Sequence, residues 1–186
     1  MLDRLTHRGP DGQGTRGFDH AWLGHRRLAI VDLEGGAQPL RDPGGTYWLV
    51  GDGEVYNYRR LRSELEERGH VFRTRADQES ALHLLEADGL PALSRLWGMF
   101  DFAGATVDWR FFDARDTIGI APLYWSRQEG TVVFGSELKA FDPDRRRHVE
   151  PFPPGHVWTP DEGLRPFRSL PKVQPVLPAA NSDPED

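Results

Sequence analysis

The sequence contains no cysteine. That absence excludes disulfides, thiolate metal sites and any cysteine nucleophile within these 186 residues. Long apolar runs are missing as well, and no stretch approaches the roughly 18 residues of a membrane span. The first ten residues, MLDRLTHRGP, are charged and lack the apolar core of a secretory signal, so the expectation is a cytoplasmic protein with no membrane partner. Positive charge is in deficit, with 23 Lys and Arg against 29 Asp and Glu for a net charge of -6. Nucleic-acid binding needs a concentrated basic face, and the balance argues against it. The nearest basic cluster, DRRRH at 144–148, has acids on both sides and reads as a solvated loop.

What is present describes one globular domain with a tail. Hydrophobic residues make up 38% of the chain, including ten Phe and six Trp, enough for a real core. Charged residues at 28% and a mean hydropathy of -0.60 give a polar surface. No internal repeat is visible.

Strand signals lie at 21–33 (AWLGHRRLAIVDL) and at 46–53 (TYWLVGDG), the second preceded by the turn signal DPGG. A helix follows over about 59–68, with Asn57 as N-cap, Leu61 and Leu65 as an apolar pair and Gly69 as its stop. VFRT at 71–74 reads as a short strand. Asp77 then precedes a second helix to about residue 87, and Pro91 opens a short third one. After WGMFDFA come three short strands, in WRFFDARD, APLYWS and TVVFGSE. The Pro-rich, acidic end of the chain reads as a linker or disordered tail, placed at 161–186 after a domain of 1–160. Runs of strands with a few helices between them imply an α+β layered fold.

The stretch VGDGEVYN, 50–57, is the most suggestive for function. It carries two acids around a glycine where a strand runs into a helix, a place that can bind a small polar molecule, cap the helix, or do both. Taken singly its residues are ordinary. Gly53 is a turn glycine, Glu54 a solvated turn residue, Asp77 a helix N-cap, and Arg27 a strand residue facing solvent. No Gly-x-Ser-x-Gly elbow is present. GPDGQG is glycine-rich but precedes no clean βα unit. The seven His show no metal-ligand spacing, and His20 and His25, five apart on the first strand, would point to opposite faces. Trp97, Trp109 and Trp125 read as core.

Five fragments in order, HRGPDGQG (7–14), LGHRRLAIVDLEGGAQPL (23–40), GDGEVYNY (51–58), RDTIGIAPLYW (115–125) and GSELKAF (135–141), resemble the N-terminal glutaminase domain of glutamine-dependent asparagine synthetases. That domain is a class II glutamine amidotransferase of the N-terminal-nucleophile (Ntn) hydrolase fold. The resemblance covers residues 1 to about 160. It implies an αββα sandwich, two antiparallel sheets flanked by helices, here without the first strand. It implies L-glutamine as ligand, with Arg27 holding the substrate carboxylate and Glu54 and Asp77 receiving its ammonium. A guanidinium suits the first task because it donates two parallel hydrogen bonds to a carboxylate. Asp52 and Gly53 match the oxyanion-hole positions, and Ser136 belongs to a structural motif. No cofactor falls to this chain. ATP and magnesium would belong to a synthetase domain, as its own or a partner's, that amidates aspartate with the released ammonia.

Two departures stand out. The family has Asn where this chain has Asp52, and an ionised carboxylate accepts hydrogen bonds but donates none. Losing one oxyanion donor costs about 10²–10³ in kcat. The family's nucleophilic Cys has no counterpart, and only six residues precede His7, so the chain reads as cut at both ends. No catalytic residue is therefore assigned. Three functions follow from the resemblance: an inactive piece of an asparagine synthetase, a degenerate scaffold module as in β-lactam synthetase-like or lasso-peptide cyclase-like proteins, or a glutamine sensor without turnover.

Overall fold

In the computed structural model the described residues are 1–29, 36–108 and 110–169. The strands are β1 (Gly12–Gly17), β2 (Trp22–Arg27), β3 (Leu40–Arg41), β4 (Tyr47–Val55), β5 (Gly98–Thr106), β6 (Phe111–Arg115), β7 (Tyr124–Gln128), β8 (Thr131–Gly135), β9 (Val149–Pro151), β10 (His156–Thr159) and β11 (Gly163–Pro166). Two α-helices, α1 (Tyr58–Glu67) and α2 (Gln78–Asp88), join β4 to β5, followed by a 3-10 turn at Leu90–Arg95. Every strand pairing is antiparallel.

The centre is a six-stranded sheet in the order β11-β10-β6-β5-β4-β3. Its two faces follow the alternation of strand side chains. Leu49 and Val55 of β4, Phe100 and Phe102 of β5, and Phe112 and Ala114 of β6 face the helices. There they pack on Leu61 and Leu65 of α1 and on Leu82 and Leu85 of α2. The opposite face presents Val50, Ala105 and Phe111 to Leu23 of β2. The same face meets the three-stranded sheet β8-β7-β9 through Trp158, which lies 5.5 Å from Phe134 between ring centroids. The second layer thus has two parts, the pair β1-β2 and the sheet β8-β7-β9.

Helix α1 starts and stops where the sequence suggests. Leu61 and Leu65 are fully buried, and the amides of Gly69 and His70 close the last turn on the carbonyls of Glu66 and Leu65 at 3.0 and 2.9 Å. Asn57 stands at the N-cap position but does not cap the helix with its side chain. Its Nδ2 donates to the Arg95 carbonyl at 2.9 Å, and its Oδ1 accepts the Trp97 amide at 3.0 Å. The N-cap expectation is corrected: Asn57 fastens the segment leading into β5.

Residues 71–74 are not a strand. The amides of Arg73 and Thr74 donate to the Glu79 carboxylate at 2.7 and 2.8 Å, which takes the place of a strand partner. WGMFDFA, read as a boundary, is most of the central strand β5. The sheet runs past the expected limit at 160, because β11 pairs with β10 through Pro166. DRRRH forms a short 3-10 turn, Arg145–His148, in which Arg146 donates to the carbonyls of Phe141 and Lys139. Trp125 and Phe100 are core, but Trp97 is 59% exposed. Trp109, residues 30–33 of the first expected strand and the tail from 170 onward lie outside the described residues.

Candidate functional site

The β4–α1 junction carries the site. Gly53 has φ +110° inside β4, and a Cβ there would stand 2.0 Å from the Met99 carbonyl oxygen, so only glycine fits. Its own carbonyl accepts Gln78 Nε2 at 2.8 Å. Two residues on, the Val55 amide donates to Asp77 Oδ2 at 2.5 Å. Asp77 therefore ties α2 to the end of β4 and makes no side-chain cap bond to its own helix, contrary to expectation. Burial pushes the Asp77 carboxyl up, with the Val55 amide working against it. Burial likewise raises Glu54, and the nearby Asp77 charge adds to the effect.

Arg27 reaches the same place from β2. Its backbone is gripped by the HRGPDG segment. The Asp11 amide donates to the Arg27 carbonyl at 3.0 Å, and a Cβ on Gly9 would lie 2.4 Å from the Arg27 nitrogen. Glycines of GPDGQG thus serve close packing and the start of β1. His25, on the same strand, falls to about 4: burial drives it down and Arg27 adds to that, against the Asp52 charge. Its imidazole is neutral at pH 7. His20 precedes β2 and does not share a strand with it.

Asp52 is where the structure adds most. Its carboxylate forms an ion pair with Arg8 Nη2, and Arg8 Nη1 also reaches Glu137 Oε1 at 3.5 Å. The negative charge of Asp52 is thus answered by a guanidinium. The Asp52 amide donates to Asp101 Oδ1 at 3.3 Å. Gln38 brackets the preceding residue, accepting the Gly51 amide at 2.7 Å and donating to its carbonyl at 3.0 Å. Arg8, Gln38, Gln78 and Asp101 were all missed in the sequence. Arg8 and Gln38 stand inside the fragments HRGPDGQG and LGHRRLAIVDLEGGAQPL, but each of the four acts on a partner at least 13 residues away, which the sequence does not name.

Arg8, Arg27, Asp52, Gly53, Glu54 and Asp77 line one cleft of about 370 Å³, within the range of small-molecule sites. The fold therefore brings together all five residues that the sequence singled out. These two guanidinium groups and three carboxylates offer charge of both signs to a small polar ligand. Next to it a larger cavity of about 790 Å³ lies between the layers. Asp101 and Asp113 line that cavity, and Asp101 Oδ2 and Asp113 Oδ1 have no protein hydrogen-bond partner among the described residues.

The RDTIGIAP fragment lies outside the cleft and is structural. Arg115 donates to the carbonyls of Gly119, Ala121 and Phe152, each at 2.7 Å. Asp116, fully buried, accepts the amides of Ile118, Gly119, Ile120, Ala121 and Phe100.

Layered antiparallel sheets with a zwitterion-sized cleft at a glycine-bearing strand end define the class, an Ntn-hydrolase-type amidotransferase domain. A model of the glutamine amidotransferase domain matches residues 1–161, and the chain belongs to that family. It is 42% identical over 185 residues to asparagine synthetase [glutamine-hydrolyzing] 3 of Arabidopsis thaliana, covering 97% of this chain and 31% of that protein. It is 37% identical over 187 residues to asparagine synthetase [glutamine-hydrolyzing] 3 of Bacillus subtilis, covering 95% and 30%. The chain thus spans about a third of the length of these relatives. Among solved structures, the glutamine phosphoribosylpyrophosphate amidotransferase of B. subtilis superposes with a TM-score of 0.74 at 25% identity, over 90% of this chain and 45% of that one. The allosteric regulatory enzyme of purine biosynthesis gives 0.66 at 28% identity, over 79% and 35%. Among the described residues no helix is long and apolar enough to cross a membrane.

Proposed function

We propose that this glutamine amidotransferase domain binds L-glutamine in the cleft of Arg27, Glu54 and Asp77. It belongs functionally to glutamine-dependent asparagine synthesis, in which ammonia passes to a synthetase portion that uses ATP and magnesium. The observation that carries the reading is the convergence of Arg27 from β2, Glu54 from β4 and Asp77 from the start of α2 on one cleft. The 186 residues offer no thiol, so they bind glutamine without hydrolysing it. Titration calorimetry with L-glutamine tests the reading. Heat is expected with L-glutamine and is lost in Arg27→Ala, with no ammonia released in either case. Equal heat from both proteins, or none from the unsubstituted chain, overturns it.

The Arg8–Asp52 ion pair favours a second reading, a module that binds without turnover even beside a nucleophile. With Asp52 engaged, the position opposite a developing oxyanion holds an acceptor where a donor is needed. Ammonia release from a fusion carrying a Cys-led segment ahead of Met1 separates the two readings. Under the second, release stays near background until Asp52→Asn is added, then rises about 10²-fold or more.

A further inference from the structure

Helix α2 and the turn after α1 bring together three groups with no common spacing in the sequence. His83 and Glu86 stand one turn apart on α2, and His70 follows Gly69 at the end of α1. One ligand-type atom from each lies within 4.8 Å of the others. His83 Nδ1 is 3.0 Å from Glu86 Oε2, and His70 Nδ1 is 3.7 Å from the same oxygen. A tetrahedral ion with bonds of about 2.0–2.1 Å sets its ligand atoms roughly 3.4 Å apart, midway between those two distances.

His83 is fully buried, and it lies between two carboxylates. Its Nε2 is 3.7 Å from Glu79 Oε1, and Glu79 is itself fixed by the amides of Arg73 and Thr74 and by the Thr74 hydroxyl. A neutral imidazole donates from one nitrogen only. His83 Nδ1 lies within hydrogen-bond distance of Glu86 Oε2, while the buried Nε2 has no hydrogen-bond partner among the described residues. Phe72 packs edge-on against the His83 ring at 4.7 Å and limits its rotation.

We propose that His70, His83 and Glu86 form a binding site for a divalent cation of the zinc class, with the outward position open to water. Two imidazoles and one carboxylate suit zinc, cobalt(II) or nickel(II) better than magnesium or calcium, which take oxygen ligands. The bound ion would fasten the turn after α1 to α2. It would thereby hold the 70–77 segment that delivers Asp77 to the glutamine cleft, so the role is positioning, outside the reaction itself.

The metal-free 186-residue chain is titrated with zinc chloride and, separately, with cobalt(II) chloride. One equivalent is expected to bind with a rise in melting temperature, and cobalt is expected to give the visible absorption of a four-coordinate site. His70→Ala and Glu86→Gln, both partly exposed and outside the core, should fold with unchanged circular dichroism and bind at least tenfold more weakly, without the cobalt spectrum. Magnesium should have no effect. Zinc binding of equal strength in the variants assigns the ion to other histidines and overturns the proposal, as does the absence of binding to the unsubstituted chain. In that outcome His83 carries a proton between Glu79 and Glu86, and the cluster is an ion-pair network.

Discussion

Asp101 sits in β5 with its side chain turned into the space between the layers. Burial raises its carboxyl to about 8, the charge of Asp52 adds to the rise, and the Asp52 amide and the charges of Arg8 and Arg115 oppose it. The folded chain therefore holds a proton that an unfolded carboxyl, at 3.8, has released. The stability contributed by that proton is complete below about pH 4 and is lost as the pH rises through about 8. The slope for one proton reaches about 1.4 kcal/mol per pH unit. Asp113 is driven the same way by burial and by the Asp101 charge. Asp101→Asn keeps an oxygen for the Asp52 amide and removes the titration. Urea midpoints measured from pH 5 to 8 should fall less steeply in the variant than in the parent. Identical slopes would show that Asp101 does not hold the proton.

At the scale of elements, the segment between the two helices and β5 is fastened by side chains more than by regular pairing. Asn57 bonds both the Arg95 carbonyl and the Trp97 amide, and the Arg95 guanidinium reaches Glu64 of α1 and Asp88 at the end of α2. Asn57→Ala removes two hydrogen bonds, one to a carbonyl and one to an amide, and should lower stability by about 1–3 kcal/mol. Because Trp97 lies beside the site of the change and is exposed, its fluorescence should shift on the same substitution. A loss below about 0.5 kcal/mol would mean that water replaces both bonds at no cost. The same region shows what the sequence could and could not tell. Helices α1 and α2 were legible because Leu61, Leu65, Ala81, Leu82 and Leu85 repeat at helical spacing and Gly69 stops the first. Strand β5 was not legible, since four of its nine residues are Gly or Ala, two on each face, and Asp101 breaks the apolar alternation. VFRT has a strand's composition, yet its amides are claimed by Glu79, a residue whose own sequence position suggests only helix surface. The charged residues of the cleft were legible through the family pattern. The role of Arg8 was not, although it lies in HRGPDGQG, because its partner Asp52 is 44 residues away.

The molecule as a whole is assembled around pairings that its sequence keeps far apart. The hairpins β1-β2, β5-β6 and β7-β8 close locally, but the central contact joins Tyr47–Val55 to Gly98–Thr106 across both helices. A second long connection brings Val157 and Trp158 of β10 beside Ala114 and Asp113 of β6, enclosing the whole β7-β8-β9 sheet. Each closure removes chain entropy before its hydrogen bonds and side-chain contacts repay the loss. The cleft at the β4–α1 junction needs the first closure, since Gly53 takes its conformation against the Met99 carbonyl on β5. Folding is therefore expected in milliseconds to seconds rather than microseconds, with ligand competence arriving in the slow phase after helix formation. Stopped-flow refolding followed by far-ultraviolet circular dichroism and tryptophan emission reads both events, and a single sub-millisecond phase in both signals would contradict it. During that interval the long inner edges of β4 and β5 wait unpaired, so the rate of one strand closure sets how long each newly made chain is open to association with its neighbours.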